Sequence, residues 1–147
     1  MYFNIIIKLL LYKIIKMTSY YLGKLSPNEY LLLENKNTIK FEFKTKSFEG
    51  VKTFFKNNYL NVLNPDNFLY NLEQKIDSFI QKNISGYTLK SNIIFSDKQF
   101  IQFKVNKNQV IEPDTNLILT VEIDKIKLNP KNKEYSIVLH LSKIQII

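Results

Sequence analysis

The alternating hydrophobic pattern of residues 117–146 changes phase once on each side of a turn, and this constrains the fold more than any other feature of the chain. Leu117, Leu119, Val121 and Ile123 share one face of an extended segment, but after Asp124-Lys125 the apolar positions move to Ile126 and Leu128. The return segment behaves alike: Ile137, Leu139 and Leu141 give way to Ile144 and Ile146. Successive side chains of a strand point to opposite faces, so a phase change requires a bulge or a sharp coil, the device that curves sheets toward barrels. The turn at residues 129–133 places Ile123 opposite Leu139 and Val121 opposite Leu141, so both pairs face one core.

The rest of the chain is read by periodicity, because three Gly and four Pro punctuate it sparsely. Residues 30–33 read as a short strand. Residues 38–46 alternate, with Ile39, Phe41 and Phe43 on one face and Lys40, Glu42, Lys44 and Lys46 on the other. Residues 48–59 admit two readings. Glu49-Gly50 can turn a hairpin into a strand over 51–55, the favoured reading, or Phe48, Val51 and Phe55 can follow helical spacing. Asn64-Pro65-Asp66 opens a helix, with Asn64 as cap and Pro65 at the first helical position. Phe68, Leu69, Leu72, Ile76, Phe79 and Ile80 form its apolar stripe, and Gly86 lies near its end. Strands resume at 87–95 and 99–105, followed by a loop around Glu112-Pro113-Asp114. The expected class is β-rich α+β, a partly open barrel with one main helix between its strand groups.

The 147 residues suit one domain, residues 17–147, preceded by an apolar extension. That extension, residues 1–16, is interrupted by Lys8 and Lys13 and falls short of the ~20 residues that span a bilayer. No small-residue cleavage site follows it, which disfavours secretion. It reads either as a lysine-bearing amphipathic segment or as sequence upstream of a start at Met17, the preferred reading. The absence of Cys removes disulfides, thiolate metal sites and cysteine nucleophiles, and fits a cytoplasmic protein.

All 21 basic residues are Lys, and Arg, Ala and Trp are absent while Ile and Asn abound. AT-rich coding DNA explains this inventory and part of the net charge of +8. A field of that sign still attracts polyanions, nucleic acid first and an anionic membrane surface second. Catalytic equipment is sparse. His140 is the one histidine, and Glu122 with Asp124, or Glu112 with Asp114, read as solvated acids before they read as cation ligands. No phosphate-cradling or zinc-helix motif occurs. The chain reads as a non-enzyme without a cofactor.

Binding equipment is present. Single strands are held by cations along the backbone and by aromatic rings on which bases stack. Nine Tyr and eleven Phe are available. Phe100 is the notable one, because Ile101, Phe103 and Val105 define the inner face of its strand while Phe100 alternates with Gln102 and Lys104. It is either a stacking platform or packed under a loop or the helix. Lys40 and Lys44, Lys104, and Lys125, Lys127, Lys131 and Lys133 around the last hairpin are the candidate phosphate contacts. Lysine is a point charge that does not read base edges as a forked Arg does, so such a surface suits sequence-tolerant binding.

The order of elements, and above all the run Val121-Glu122-Ile123-Asp124-Lys125-Ile126-Lys127-Leu128 with its return Tyr135-Ser136-Ile137-Val138-Leu139-His140-Leu141-Ser142-Lys143-Ile144-Gln145, resembles OB-fold single-stranded DNA-binding proteins of AT-rich viruses and of the cytoplasmic linear plasmids of yeasts. The likeness covers about 30 residues and carries no diagnostic motif. It implies sequence-nonspecific protection of displaced strands during replication, with single-stranded nucleic acid as partner and a homo-oligomer as an option. The alternative is a structural or assembly protein of a virus or plasmid that binds no nucleic acid.

Overall fold

The computed structural model describes residues 20–54, 57–64, 67–106 and 110–147. The apolar extension 1–16, Met17, Phe55, Pro65 and Asp66 lie outside them.

The hairpin that dominates the sequence dominates the structure. Strands β9 (Asn116–Asn129) and β10 (Glu134–Ile146) pair antiparallel along almost their full length, with Ile123 opposite Leu139 and Val121 opposite Leu141, as the phase analysis requires. Lys125 pairs with Val138 and Ile123 with Leu139, leaving Asp124 as the extra residue of a bulge in β9. Leu141 pairs with Val121 and Lys143 with Thr120, leaving Ser142 as the extra residue in β10. Each bulge shifts the phase of its own strand. Leu117, Leu119, Val121, Ile123, Ile126 and Leu128 are buried in consequence. The far end of β10 departs from expectation: Ile144 is half-buried, but Ile146 is 59% exposed.

Bending lets β9 change partners. Its first half pairs with Lys40–Lys46 of β4 (Lys40–Phe54), and past the bulge Ile126 and Lys127 pair with Tyr30 and Glu29 of β2 (Glu29–Glu34). The Ile123 N–H donates to the Ile39 carbonyl (2.8 Å) at the changeover. Strand β1 (Tyr20–Ser26) pairs with β2, and the two-residue β3 (Asn37–Thr38) closes onto it. Beyond Lys46, β4 turns to β5 (Asn57–Leu63) through two register shifts, one on each side of Glu49. Glu49-Gly50 therefore does not turn a hairpin. The segment stays extended, and the hairpin closes later, with Phe54 opposite Asn57.

Strand β8 (Gln99–Val105) pairs with β5 on one edge and with the short β7 (Ile93–Phe95) on the other. The order β10-β9-β4-β5-β8 is antiparallel throughout, which makes the two outer strands parallel to each other. They approach without a hydrogen-bonded ladder. At one end the gap is bridged by β6 (Thr88–Lys90), parallel to residues 134–136 of β10, and by Asn92 Nδ2, which donates to the Ile137 carbonyl (2.8 Å). The sheet is open and unclosed, compatible with a partly open barrel. The single strand expected over 87–95 is broken at Ser91-Asn92, where Glu73 captures the chain.

Helix α1 (Phe68–Asn83) begins three residues later than the sequence suggests. Asn64 does not cap it. Its N–H donates to the Gln99 carbonyl (3.0 Å), extending the β5–β8 pairing by one step, and Asn67 with φ 57° occupies the cap position. Leu69, Ile76 and Ile80 are buried, a contribution of about 1.5–3 kcal/mol each. Phe68 is 38% exposed yet packs on Phe41 and Phe43, with ring centroids 5.5 and 6.1 Å away. The Ile84 N–H closes the last turn onto the Ile80 carbonyl, and Gly86 (φ 92°) reverses the chain. Two apolar clusters result. One, around Leu60, Val62, Ile101, Leu117 and Leu119, fills the inside of the curved sheet, and the other, around Ile76, Ile80, Ile126 and Tyr135, lies under the helix. Phe41, Leu72 and Leu139 belong to both.

Candidate nucleic-acid interface

Strand pairing aligns a row of side chains on the outside of the curved sheet. Lys40 of β4 lies opposite Glu122 of β9, which lies opposite His140 of β10. Across the open seam Lys104 of β8 lies opposite Tyr59 of β5, which lies opposite Lys52 of β4. The row carries three lysines, one histidine and one aromatic ring around the sheet, with Glu122 and the Lys52 partner Glu49 as its acids. Lys44, four residues along β4 from Lys40 with Glu42 between them on the same face, lies opposite Ile118 and is exposed like Lys40.

The seam is a groove rather than a closed joint. A cavity of about 460 Å³ is lined by Tyr59, Gln102, Lys104, Asp124, Ser136 and His140 among others, and continues into one of about 180 Å³ that shares Lys104 and His140 and adds Lys143. Two ammonium groups, the Asp124 carboxylate, a ring and the amides of Asn92 and Gln102 thus converge where no ladder closes the sheet. Asn61, opposite Gln102 on the same β5–β8 face, is 6% exposed, and its Oδ1 has no hydrogen-bond partner among the described residues. A buried amide oxygen left unpaired is costly unless a ligand or water meets it.

Phe100 is half-buried, opposite Leu63 and Ile94, with Phe48 stacked on it at a centroid distance of 5.5 Å and 30° between planes. Lys98 Nζ lies 5.4 Å from the Phe48 centroid. The ring is therefore shared between packing and surface.

The hairpin lysines fall apart as a set. Lys125 is bound to Glu29 at 2.8 Å, and this contact holds the Glu29 carboxyl below its usual range and the Lys125 ammonium above its own. Lys127 is exposed between Glu29 and Ser136. Lys131 is exposed in the turn, and Lys133 (φ 55°) sits 5.5 Å over the Tyr87 ring. Of the eight residues the sequence singles out, Lys40 and Lys104 share the row, Lys44 and Phe100 lie four residues from it along β4 and β8, and Lys125, Lys127, Lys131 and Lys133 lie apart from it toward the turn of the hairpin. Tyr59, Gln102 and Lys143 are not among those eight, and His140 enters the sequence reading only as the one histidine. The strand register brings them to the groove, and periodicity alone does not reveal which outward positions of distant strands meet.

The loop carrying Glu112 and Asp114 is pinned by the fully buried Ser47, whose hydroxyl donates to the Glu112 carbonyl (2.7 Å) and accepts from the Thr115 N–H (2.8 Å). Among the described residues no three acidic or histidine side chains are placed to hold a metal ion, and no helix is long and apolar enough to cross a membrane. Compared with family models, with curated proteins and with solved structures, the chain matches none.

Proposed function

We propose that this chain is a sequence-nonspecific single-stranded DNA-binding protein of OB type that protects displaced strands during replication. The observation that carries the reading is the row Lys40, His140, Lys104 and Tyr59 crossing an open seam. Cations spaced along a groove hold phosphates irrespective of sequence, and a ring beside them offers a stacking surface. In an OB reading β4, β5, β8, β9 and β10 are the five barrel strands in order, and the fourth returns beside the first. Strands two and three, the face such barrels use for oligonucleotides, are then β5 and β8, which present Tyr59, Gln102 and Lys104.

The test is fluorescence anisotropy with a mixed-sequence single-stranded oligonucleotide. Binding at ~50 mM salt that weakens steeply by ~200 mM supports the reading, and no binding at ~50 mM salt refutes it. One observation favours the structural or assembly alternative: the edge strands carry exposed apolar side chains, Tyr21 (62%) and Leu25 (57%) on β1 and Phe95 (63%) on β7. Concentration-dependent self-association without any oligonucleotide binding would favour that alternative.

A further inference from the structure

The groove between α1 and residues 87–95 lies off the lysine-bearing row and has the opposite character. We propose that it is a binding site for an organic cation, an ammonium or guanidinium group. This does not rest on the nucleic-acid reading.

The groove encloses about 460 Å³, within the range of roughly 300–1,000 Å³ typical of small-molecule sites. Three rings line it: Tyr70, Tyr87 and Phe95. Tyr70 is 47% and Phe95 63% exposed, so their faces are open to a ligand. The charged side chains in the lining are the carboxylates of Glu73 and Asp77, in a chain whose net charge is +8. Rings attract cations through their quadrupole, and carboxylates accept charge-assisted hydrogen bonds. An anion would be repelled here. The chain's own Lys133 Nζ, from outside the lining, already sits 5.5 Å over the Tyr87 ring.

Both carboxylates are held in place: Glu73 is buried with both oxygens engaged and contributes its charge, whereas Asp77 takes both of its bonds on Oδ1 and offers Oδ2 to a ligand. Glu73, 2% exposed, accepts from Ser91 Oγ (2.6 Å), the Asn92 N–H (2.8 Å) and Asn92 Nδ2 (3.3 Å). These bonds fix the break between β6 and β7, and Asn92 ties it to the Ile137 carbonyl. Asp77 accepts from the Tyr135 hydroxyl and from Gln81 Nε2 (3.1 Å), and Gln81 also donates to the Tyr87 carbonyl (2.8 Å). The two walls are thereby cross-linked at a fixed separation. Preorganisation of this kind lowers the ordering cost of binding.

The test is amide-resolved NMR titration of the full chain with 1,4-diaminobutane and, separately, with a capped Gly-Arg-Gly tripeptide. Saturable shifts confined to residues 70–81 and 87–95 are expected with at least one probe. A response to the diamine alone points to a free amine, and one to the tripeptide alone to an arginine side chain of a partner. Asp77→Asn should weaken binding about tenfold, the scale of a lost charge-assisted bond. Phe95→Ala, at an exposed position that leaves the core intact, should weaken it about threefold or more. Lys104→Ala should leave it unchanged. Non-saturable shifts, equal shifts with propionate, or wild-type affinity in both Asp77→Asn and Phe95→Ala would overturn the proposal.

Discussion

Lys104 and Tyr59 sit directly opposite each other on β8 and β5, so an ammonium and an aromatic ring stand side by side at the lip of the seam. This pairing predicts separable losses. Tyr59→Ala should weaken single-strand binding by about 1–3 kcal/mol through lost stacking and leave the salt dependence unchanged. Lys104→Ala should weaken it and flatten the salt dependence. Anisotropy titrations of both variants at several salt concentrations distinguish the two effects.

The Phe48–Phe100 stack predicts a stability role. Phe100→Ala should destabilise the fold by about 1–3 kcal/mol, less than a fully buried Phe because the ring is only half-buried. Phe48→Ala should act in the same direction. The double variant should cost less than the sum by about 0.5–1.5 kcal/mol, read by urea denaturation as a double-mutant cycle.

Tyr20 is 8% exposed, and its hydroxyl has no hydrogen-bond partner among the described residues. Burial, with Glu34 nearby, pushes its pKa up to about 12 from 10.0. The folded state thus holds the proton more tightly than the unfolded chain, and stability falls as pH rises from 10 toward 12. Tyr20→Phe should be neutral to stabilising by about 1 kcal/mol near neutral pH, and should flatten the alkaline decline. Thermal melts at pH 8, 10 and 11 check both.

The Glu29–Lys125 pair makes an acid-side prediction. Lys125 holds the Glu29 carboxyl below its ordinary 4.5, so the stability it contributes is present above that pH and is lost as pH falls through the lowered value. Glu29→Gln should remove this component of the acid decline while leaving the melting temperature at neutral pH little changed, as is usual for exposed pairs. Melts between pH 3 and 6 read it.

The sequence carried the fold wherever a period-2 pattern had one wet and one dry face. The β9–β10 register is legible in Val121, Ile123, Leu139 and Leu141 and the phase change of β9 in Ile126 and Leu128, because a one-residue slip would expose an entire apolar set, whereas past the β10 bulge Ile144 is half-buried and Ile146 stays exposed. Where that asymmetry is missing, periodicity does not mark the strand. Strand β5 carries Asn58 and Asn61 buried among Leu60 and Val62, so it does not alternate. Strand β1 puts Tyr21 and Leu25 outward. Asn64-Pro65 has the chemistry of a cap, yet Asn64 is held by Gln99, 35 residues away in sequence, and the helix starts later. The break at Ser91-Asn92 depends on Glu73, a contact no local pattern announces. The site was half legible for the same reason. Lys40 and Lys104 stand out as outward lysines of amphipathic strands, but their meeting with Tyr59 and His140 is a property of strand order.

Phosphate contact by the row across the seam would show in how binding responds to salt. The most direct measurement is the slope of log K against log salt for a mixed-sequence single strand, in the wild type and in the Lys40→Ala/Lys104→Ala double variant. Each phosphate contact on a single strand contributes a slope of about −0.7, so the double variant should be shallower by about 1.4 with its melting temperature unchanged. An identical slope in a folded double variant would mean that Lys40 and Lys104 do not contact phosphates.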